Sequence, residues 1–181
     1  MLYYQVLIPL LGLILSREVF TEVIPLTIPV QVLEVMDGDT LVVSGGGGQW
    51  TVRLAGVDAP EKGQSTRLAG MDAGKVASSC LSREVRERSW LLVWRGRDIY
   101  HRVLGDLTSK GQSLSLRLVE KGCVSVYPFL NDFTRPKRQE FKQKLNRAQR
   151  ARLGLWKYGG FMRPYAWRKL QKTRRKPVEA E

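Results

Sequence analysis

Asp37, Asp39, Arg53, Asp58 and Glu61 fall within 25 positions, and Arg102 follows later in the chain. Carboxylate and carbonyl oxygens select hard cations such as Ca²⁺ or Mg²⁺ over softer metals. A glutamate near such a cation, but not locked on it, can take a proton from water. Two guanidiniums offer planar, permanently charged forks for the non-bridging oxygens of a phosphate. They also stabilise charge that builds in a pentacovalent transition state. Together these residue types describe hydrolysis of a phosphodiester, a reaction that needs no nucleophilic side chain. Each group alone has a plainer reading: Asp37-Gly38-Asp39 as a turn, and Arg53 as half of a surface ion pair. The second cluster, Arg53 to Glu61, and the later Arg102 tip the balance toward chemistry.

Short strands and loops must aim these side chains. Mixed apolar alternation predicts strands over 30–35, 40–43 and 49–54, with Gly45-Gly46-Gly47-Gly48 as a hairpin turn. A glycine run could cradle phosphates, but neither a helix start nor Lys-Ser/Thr follows it. In the third strand Arg53 and Leu54 point to opposite faces. Residues 24–29 read as an extended linker, and 59–65, with Pro60 and Gly63, as a loop. A helix is expected over 66–86, weakened by Gly70 and Gly74. Strands follow over 90–94 and 98–107, joined by Arg95-Gly96-Arg97. Ser113 is a candidate N-cap for a short helix stopped by Gly122, and 123–127 alternates as another strand. A last helix starts near Pro136 and stops at Gly154. The pattern predicts an α+β, mainly β fold: a small five-stranded OB-type barrel with about three packed helices.

The chain carries 30 Lys and Arg against 17 Asp and Glu, a net charge of +13. From Arg135 to Lys176 run 16 Lys and Arg against the single acid Glu140, so the positive excess lies in the C-terminal quarter. A field of that sign attracts nucleic acid or an anionic membrane. Its plainer reading is a solvated basic helix and tail. Cys80 and Cys123 have no metal spacing and form no disulfide framework, so both read as small buried apolar residues. Residues 1–16 carry no charge but are shorter than the roughly 20 residues that cross a bilayer. An anchor, an export signal and an apolar terminus packed on the domain all stay open, so membrane contact through residues 1–16 and a membrane-associated or exported location are expectations.

The strings Val35-Met36-Asp37-Gly38-Asp39-Thr40, Arg53-Leu54-Ala55-Gly56-Val57-Asp58-Ala59-Pro60-Glu61, Asp98-Ile99-Tyr100-His101-Arg102-Val103-Leu104 and Gly154-Leu155-Trp156 resemble the staphylococcal nuclease (thermonuclease) family in order and spacing. The resemblance covers about Val30 to Trp156, and the first two strings carry most of its specificity. It implies an OB-fold barrel and a Ca²⁺-dependent endonuclease that cuts DNA and RNA and leaves 3′-phosphate ends. Asp39 and Asp58 match carboxylate ligands of the ion, the Ala59 carbonyl matches a further ligand, and Asp37 resembles an outer-shell acid. Glu61 matches the general base, Arg53 and Arg102 the phosphate clamp, and Tyr100 a contact to the terminal phosphate of the bound strand. His101 stands where the family usually has glycine, and Ala59 where it often has threonine. His101 is expected to be a tolerated strand residue, one that bears on where Arg102 ends up.

The expected organisation is an apolar segment and linker over 1–27, a nuclease-like domain over 28–157 and a basic tail over 158–181. Trp156, Phe161, Tyr165 and Trp167, interleaved with Arg163, Arg168 and Lys169, could stack bases or simply pack the last helix onto the barrel. Two rival functions stand beside the nuclease: an OB-type module that holds single strands without cutting, and a membrane-tethered adaptor whose basic tail meets anionic lipid.

Overall fold

The computed structural model describes residues 26–86 and 89–174; the apolar run 1–16 lies outside them. Strand β1 (Thr27–Val35) pairs antiparallel with β2 (Thr40–Gly45) and with β5 (Trp90–Arg97). Strand β3 (Gly48–Leu54) continues from β2 through a hairpin and lies parallel to β6 (Val103–Ser109), which returns antiparallel to β5. The ring therefore closes as β1-β2-β3-β6-β5, the five-stranded barrel that the sequence pattern predicts. A short sixth strand, β7 (Gln112–Ser113), extends β6. Outside the barrel β4 (Val57–Asp58) pairs with β8 (Ser125–Val126).

Alternation fills the interior. Leu41 and Val43 of β2, Val52 and Leu54 of β3, Leu92 of β5, and Val103 and Leu107 of β6 are buried together. Each such side chain contributes roughly 1.5–3 kcal/mol of burial. The inward residues of β3 leave Thr51 and Arg53 on its outer face, which is how the barrel presents an arginine. Helices α1 (Ala73–Val85), α2 (Leu114–Glu120) and α3 (Arg135–Arg150) cover the barrel through Ala77, Leu81, Leu114, Leu118, Phe141 and Ala148. A 3-10 turn (Gly154–Tyr158) leads to a fourth helix, α4 (Pro164–Arg174). Among the described residues no helix is long and apolar enough to cross a membrane.

Gly56 shapes the return from β3 to β4. Its φ is +81°, and a Cβ there would stand 2.7 Å from Phe141 Cζ. Only glycine lets the chain turn this tightly against α3 and bring Asp58 back beside Arg53.

Several element boundaries differ from the sequence reading. Strand β1 begins at Thr27, inside the expected linker, because Pro29 pairs opposite Leu91 at a position where its missing N–H is tolerated. Helix α1 starts at Ala73 rather than 66: Asp72 accepts from Lys75 N–H at 3.0 Å and caps it, while Thr66 N–H donates to the Met71 carbonyl and closes a loop before it. Strand β5 runs through Arg97 over an irregularity near Trp94, so the turn falls at Asp98–Arg102 instead of Arg95–Arg97. Residues 123–127 keep only a two-residue strand.

Cys80 and Cys123 are both buried, as expected, but they form a disulfide that ties α1 to the loop after α2. Their separation of 43 residues corresponds to about 4 kcal/mol on the chain-entropy view of a closed loop. Sequence spacing could not signal the pairing, because it arises only when α1 and α2 pack.

Candidate active site

The turn between β1 and β2 builds the first acid. Met36 and Asp37 N–H groups donate to the Thr40 carbonyl, and Asp37 Oδ1 accepts from Asp39 N–H at 3.0 Å. Gly38 lies so close to α1 that a Cβ would stand 2.5 Å from Ala77 Cβ and 2.7 Å from Ala59 Cβ. The turn is thereby pressed inward and Asp39 is buried, its side chain 7% exposed. Asp39 Oδ2 accepts from Ala59 N–H at 2.6 Å, and Oδ1 accepts from the Thr40 hydroxyl at 3.1 Å and pairs with Arg53.

Arg53 stands opposite Thr40 on β3 and bridges two carboxylates. One nitrogen faces Asp39, and Nη2 lies 3.3 Å from Asp58 Oδ1. Burial works against the guanidinium charge, yet the Asp39 carboxylate outweighs it and raises the Arg53 pKa. Burial also raises the Asp58 carboxyl above its ordinary value, against the pull of Arg168 and Arg53. Asp37 is raised too, by burial and by the neighbouring Asp39 charge.

Asp58 is 1% exposed, whereas the Glu61 side chain is 45% exposed. The two differ because Asp58 sits in the β4–β8 pair, while Glu61 lies on the loop that follows. Glu61 N–H donates to Gln64 Oε1, and the Glu61 carbonyl accepts from Gln64 N–H. The buried Gln64 thus fixes the loop from within.

The sequence reading names Arg168 among the C-terminal cations but does not place it at the acid cluster. Arg168 of α4 donates from Nη2 to Asp58 Oδ1 at 2.9 Å and from Nη1 to Glu61 Oε1 at 2.7 Å. Tyr165 N–H, in the first turn of the same helix, donates to Asp58 Oδ2 at 3.1 Å. The one signal available was Pro164 opening a run with Trp167 and Leu170, which could have been read as a helix start.

Asp37, Asp39, Arg53, Asp58, Ala59 and Glu61 are therefore joined in one network. Arg102 and Tyr100 form a second group. Asp98 accepts from Tyr100 N–H at 2.9 Å, from Arg102 N–H at 3.0 Å and from Arg102 Nε at 2.8 Å. Although burial opposes it, the Arg102 contact holds the Asp98 carboxyl below its ordinary value. Arg102, Tyr100 and Arg97 line a cleft of about 390 Å³ with Gln49, Trp50 and Thr51. The parallel rung Val52–Val103 sets Arg102 beside Thr51, on the outer sheet face that also carries Arg53. Among the described residues no hydrogen bond or ion pair joins the two groups. His101 lies in the turn rather than in a strand, with φ of +61°, the left-handed region that favours glycine.

The donor set of the first group is oxygen only, which suits a hard divalent cation. Among the described residues no three His, Cys, Asp or Glu side chains converge as a metal cage. A cation here would be held by Asp39, Asp58 and the Ala59 carbonyl and would complete its shell with water and phosphate oxygens. The guanidinium between Asp58 and Glu61 already marks a position where these acids accept positive charge.

The sequence model of a family described as "Staphylococcal nuclease homologue" matches residues 51–158. An uncharacterized endonuclease of Haemophilus influenzae is 31% identical over 144 residues, 78% of this chain and 74% of the relative. A micrococcal nuclease of Shigella flexneri is 27% identical over 152 residues, 79% of this chain and 82% of the relative. A probable staphylococcal-like nuclease of Oryza sativa is 29% identical over 121 residues, 67% of this chain but only 33% of the rice protein.

Proposed function

The chain belongs to the family of staphylococcal nuclease homologues, and from that premise we propose that it is a metal-dependent endonuclease hydrolysing phosphodiester bonds of DNA and RNA. Ca²⁺ as the cation and 3′-phosphate ends on the products are part of the proposal. The observation that carries it is the bonded set Asp39–Arg53–Asp58, its two acids buried, with the exposed Glu61 at its edge. A module that only binds strands has no use for three carboxylates facing a phosphate site, since they repel the backbone.

Burial and exposure divide the labour. Asp39 and Asp58, fixed by Ala59 N–H and Arg53, would hold the cation with the Ala59 carbonyl. When bound, the cation supplies Lewis-acid polarisation of the phosphoryl oxygen and orients water. Glu61, on its loop and open to solvent, takes the proton from the attacking water. Arg53 contacts a non-bridging oxygen, and its guanidinium stays charged against the oxygen as negative charge grows. Arg102 grips the phosphate from the adjacent cleft, with Tyr100 beside it at the strand end. These groups address phosphate and none reads a base edge, so cleavage has little sequence preference.

The test is direct. Purified protein is incubated with supercoiled plasmid and with RNA, in Ca²⁺ and then in chelator. Cleavage of both in Ca²⁺, abolished by chelator, is the expected result. Intact substrate in Ca²⁺ refutes the nuclease, and a gel shift without cleavage would instead favour a binding module.

A further inference from the structure

We propose that Arg168 is a positioning residue of the acid cluster that competes with the divalent cation, and that α4 is the latch carrying it. The inference rests on the nuclease reading above. Arg168 lies beyond the segment 51–158 that the family match covers.

Three observations support it. First, α4 takes both oxygens of Asp58: Arg168 Nη2 and Tyr165 N–H donate to Oδ1 and Oδ2. Arg168 Nη1 then spans to Glu61, so one guanidinium ties a proposed cation ligand to the proposed base. A cation bound to Asp58 needs the same lone pairs, and its two positive charges repel the guanidinium. Helix and ion therefore compete for that carboxylate.

Second, α4 is attached mainly by its first turn. The Gln64 side chain donates to the Met162 carbonyl, Pro164 is buried, and the Tyr165 ring meets Phe129 edge to face at 5.5 Å. Among the described residues no strand or other helix packs extensively along the rest of the helix. An element held by few apolar contacts sits at the low end of local stability, where opening is easy.

Third, the contact has the right balance for a switch. The Asp58 end is buried, but the Arg168 side chain is 37% exposed and Glu61 45%. A half-exposed ion pair is strong enough to order the acids when no cation is present and weak enough to yield to one. With Arg168 in place one Glu61 oxygen is engaged by the guanidinium. Its release frees the base together with the ligand.

Competition lowers apparent cation affinity by the fraction of molecules whose latch is open. Calorimetric titration of Ca²⁺ into the full chain and into Arg168→Ala should therefore give the variant a Kd roughly tenfold tighter. Hydrogen exchange of the α4 amides supplies a readout free of activity. In chelator the variant's α4 amides should exchange faster than the parent's, and Ca²⁺ should accelerate them in the parent itself. Arg168→Lys, which keeps charge but loses the two-pronged bridge, should fall between. If Arg168→Ala binds Ca²⁺ no tighter than the parent while Ca²⁺ leaves parental α4 exchange unchanged, the proposal is overturned although the nuclease stands. If neither protein binds Ca²⁺ nor cuts nucleic acid, both readings fail together.

Discussion

Arg53 and Asp58, five residues apart, meet where β3 has ended and the chain has turned through Gly56, with Nη2 3.3 Å from Oδ1. The same guanidinium faces Asp39 from the turn before β2. One cation thus neutralises two buried acids that would otherwise repel, and it does so from the outer face of a barrel strand.

Replacing that cation strands the acids. Arg53→Ala should cost about 3–5 kcal/mol of folding stability at neutral pH, the usual penalty for leaving a buried charge without its partner. The loss should shrink in mild acid, because burial already raises Asp58 and lets it take up a proton sooner than an ordinary aspartate. Urea unfolding at the two pH values checks this. An equal loss at both would mean that the acids stay ionised without Arg53.

Glu61 and Arg102 should fail in different ways. Glu61→Gln keeps the size and the Arg168 hydrogen bond but not the basicity, so turnover should drop about 10²–10⁴-fold with nucleic-acid binding preserved. Arg102→Ala should cost about 10²–10³ in kcat, as losing one donor to a developing oxyanion does. Single-turnover cleavage and filter binding separate the two. If Arg102→Ala cuts as well as the parent, the Asp98 contact holds that arginine away from the phosphate.

The local parts of this site were legible and the distant parts were not. Asp39, Arg53 and Asp58 sit in short strings whose spacing alone suggested a shared site, and alternation in β3 correctly turned Arg53 outward. The contact between Arg168 and Asp58 spans 110 residues, and it leaves no trace in local spacing. The Cys80–Cys123 bond was hidden for the same reason. The start of α1 was misplaced because residues 66–72 have helix-compatible composition, while Asp72 offers a cap and Gly70, with φ of +61°, breaks the run.

Away from the site, Glu84 gives the protein an acid-sensitive joint. Its buried carboxylate in α1 accepts from Arg117 Nη2 at 2.6 Å and pairs with Lys121, linking α1 to α2. Burial pushes its pKa up, but the two cations overcome this and lower it below its ordinary 4.5. A lowered folded pKa means that the unfolded chain binds the proton more readily. The stabilisation is therefore complete above 4.5 and disappears as pH falls through the lower folded value. Glu84→Gln should lose about 1.5–3 kcal/mol at neutral pH and nothing at strongly acid pH. Thermal melts of the two proteins across that range should converge at the acid end. A constant gap would place the stabilisation in packing rather than charge.

His101 tests whether the second group depends on its one unusual residue. Its φ of +61° costs a non-glycine residue about 1–2 kcal/mol, and the turn is already fixed by Asp98, which accepts from the Tyr100 and Arg102 N–H groups. His101→Gly removes the strain but adds freedom to the unfolded chain, worth about 0.4–1 kcal/mol in the other direction. The expected result is a net gain between about 0 and about 1.6 kcal/mol in urea unfolding, with cleavage and its pH profile unchanged. The pH profile is the discriminating measurement. Were the imidazole a proton donor in the reaction, the variant's pH profile would change shape. Were its only role to set the turn, glycine would hold Arg102 against Asp98 as well as histidine does.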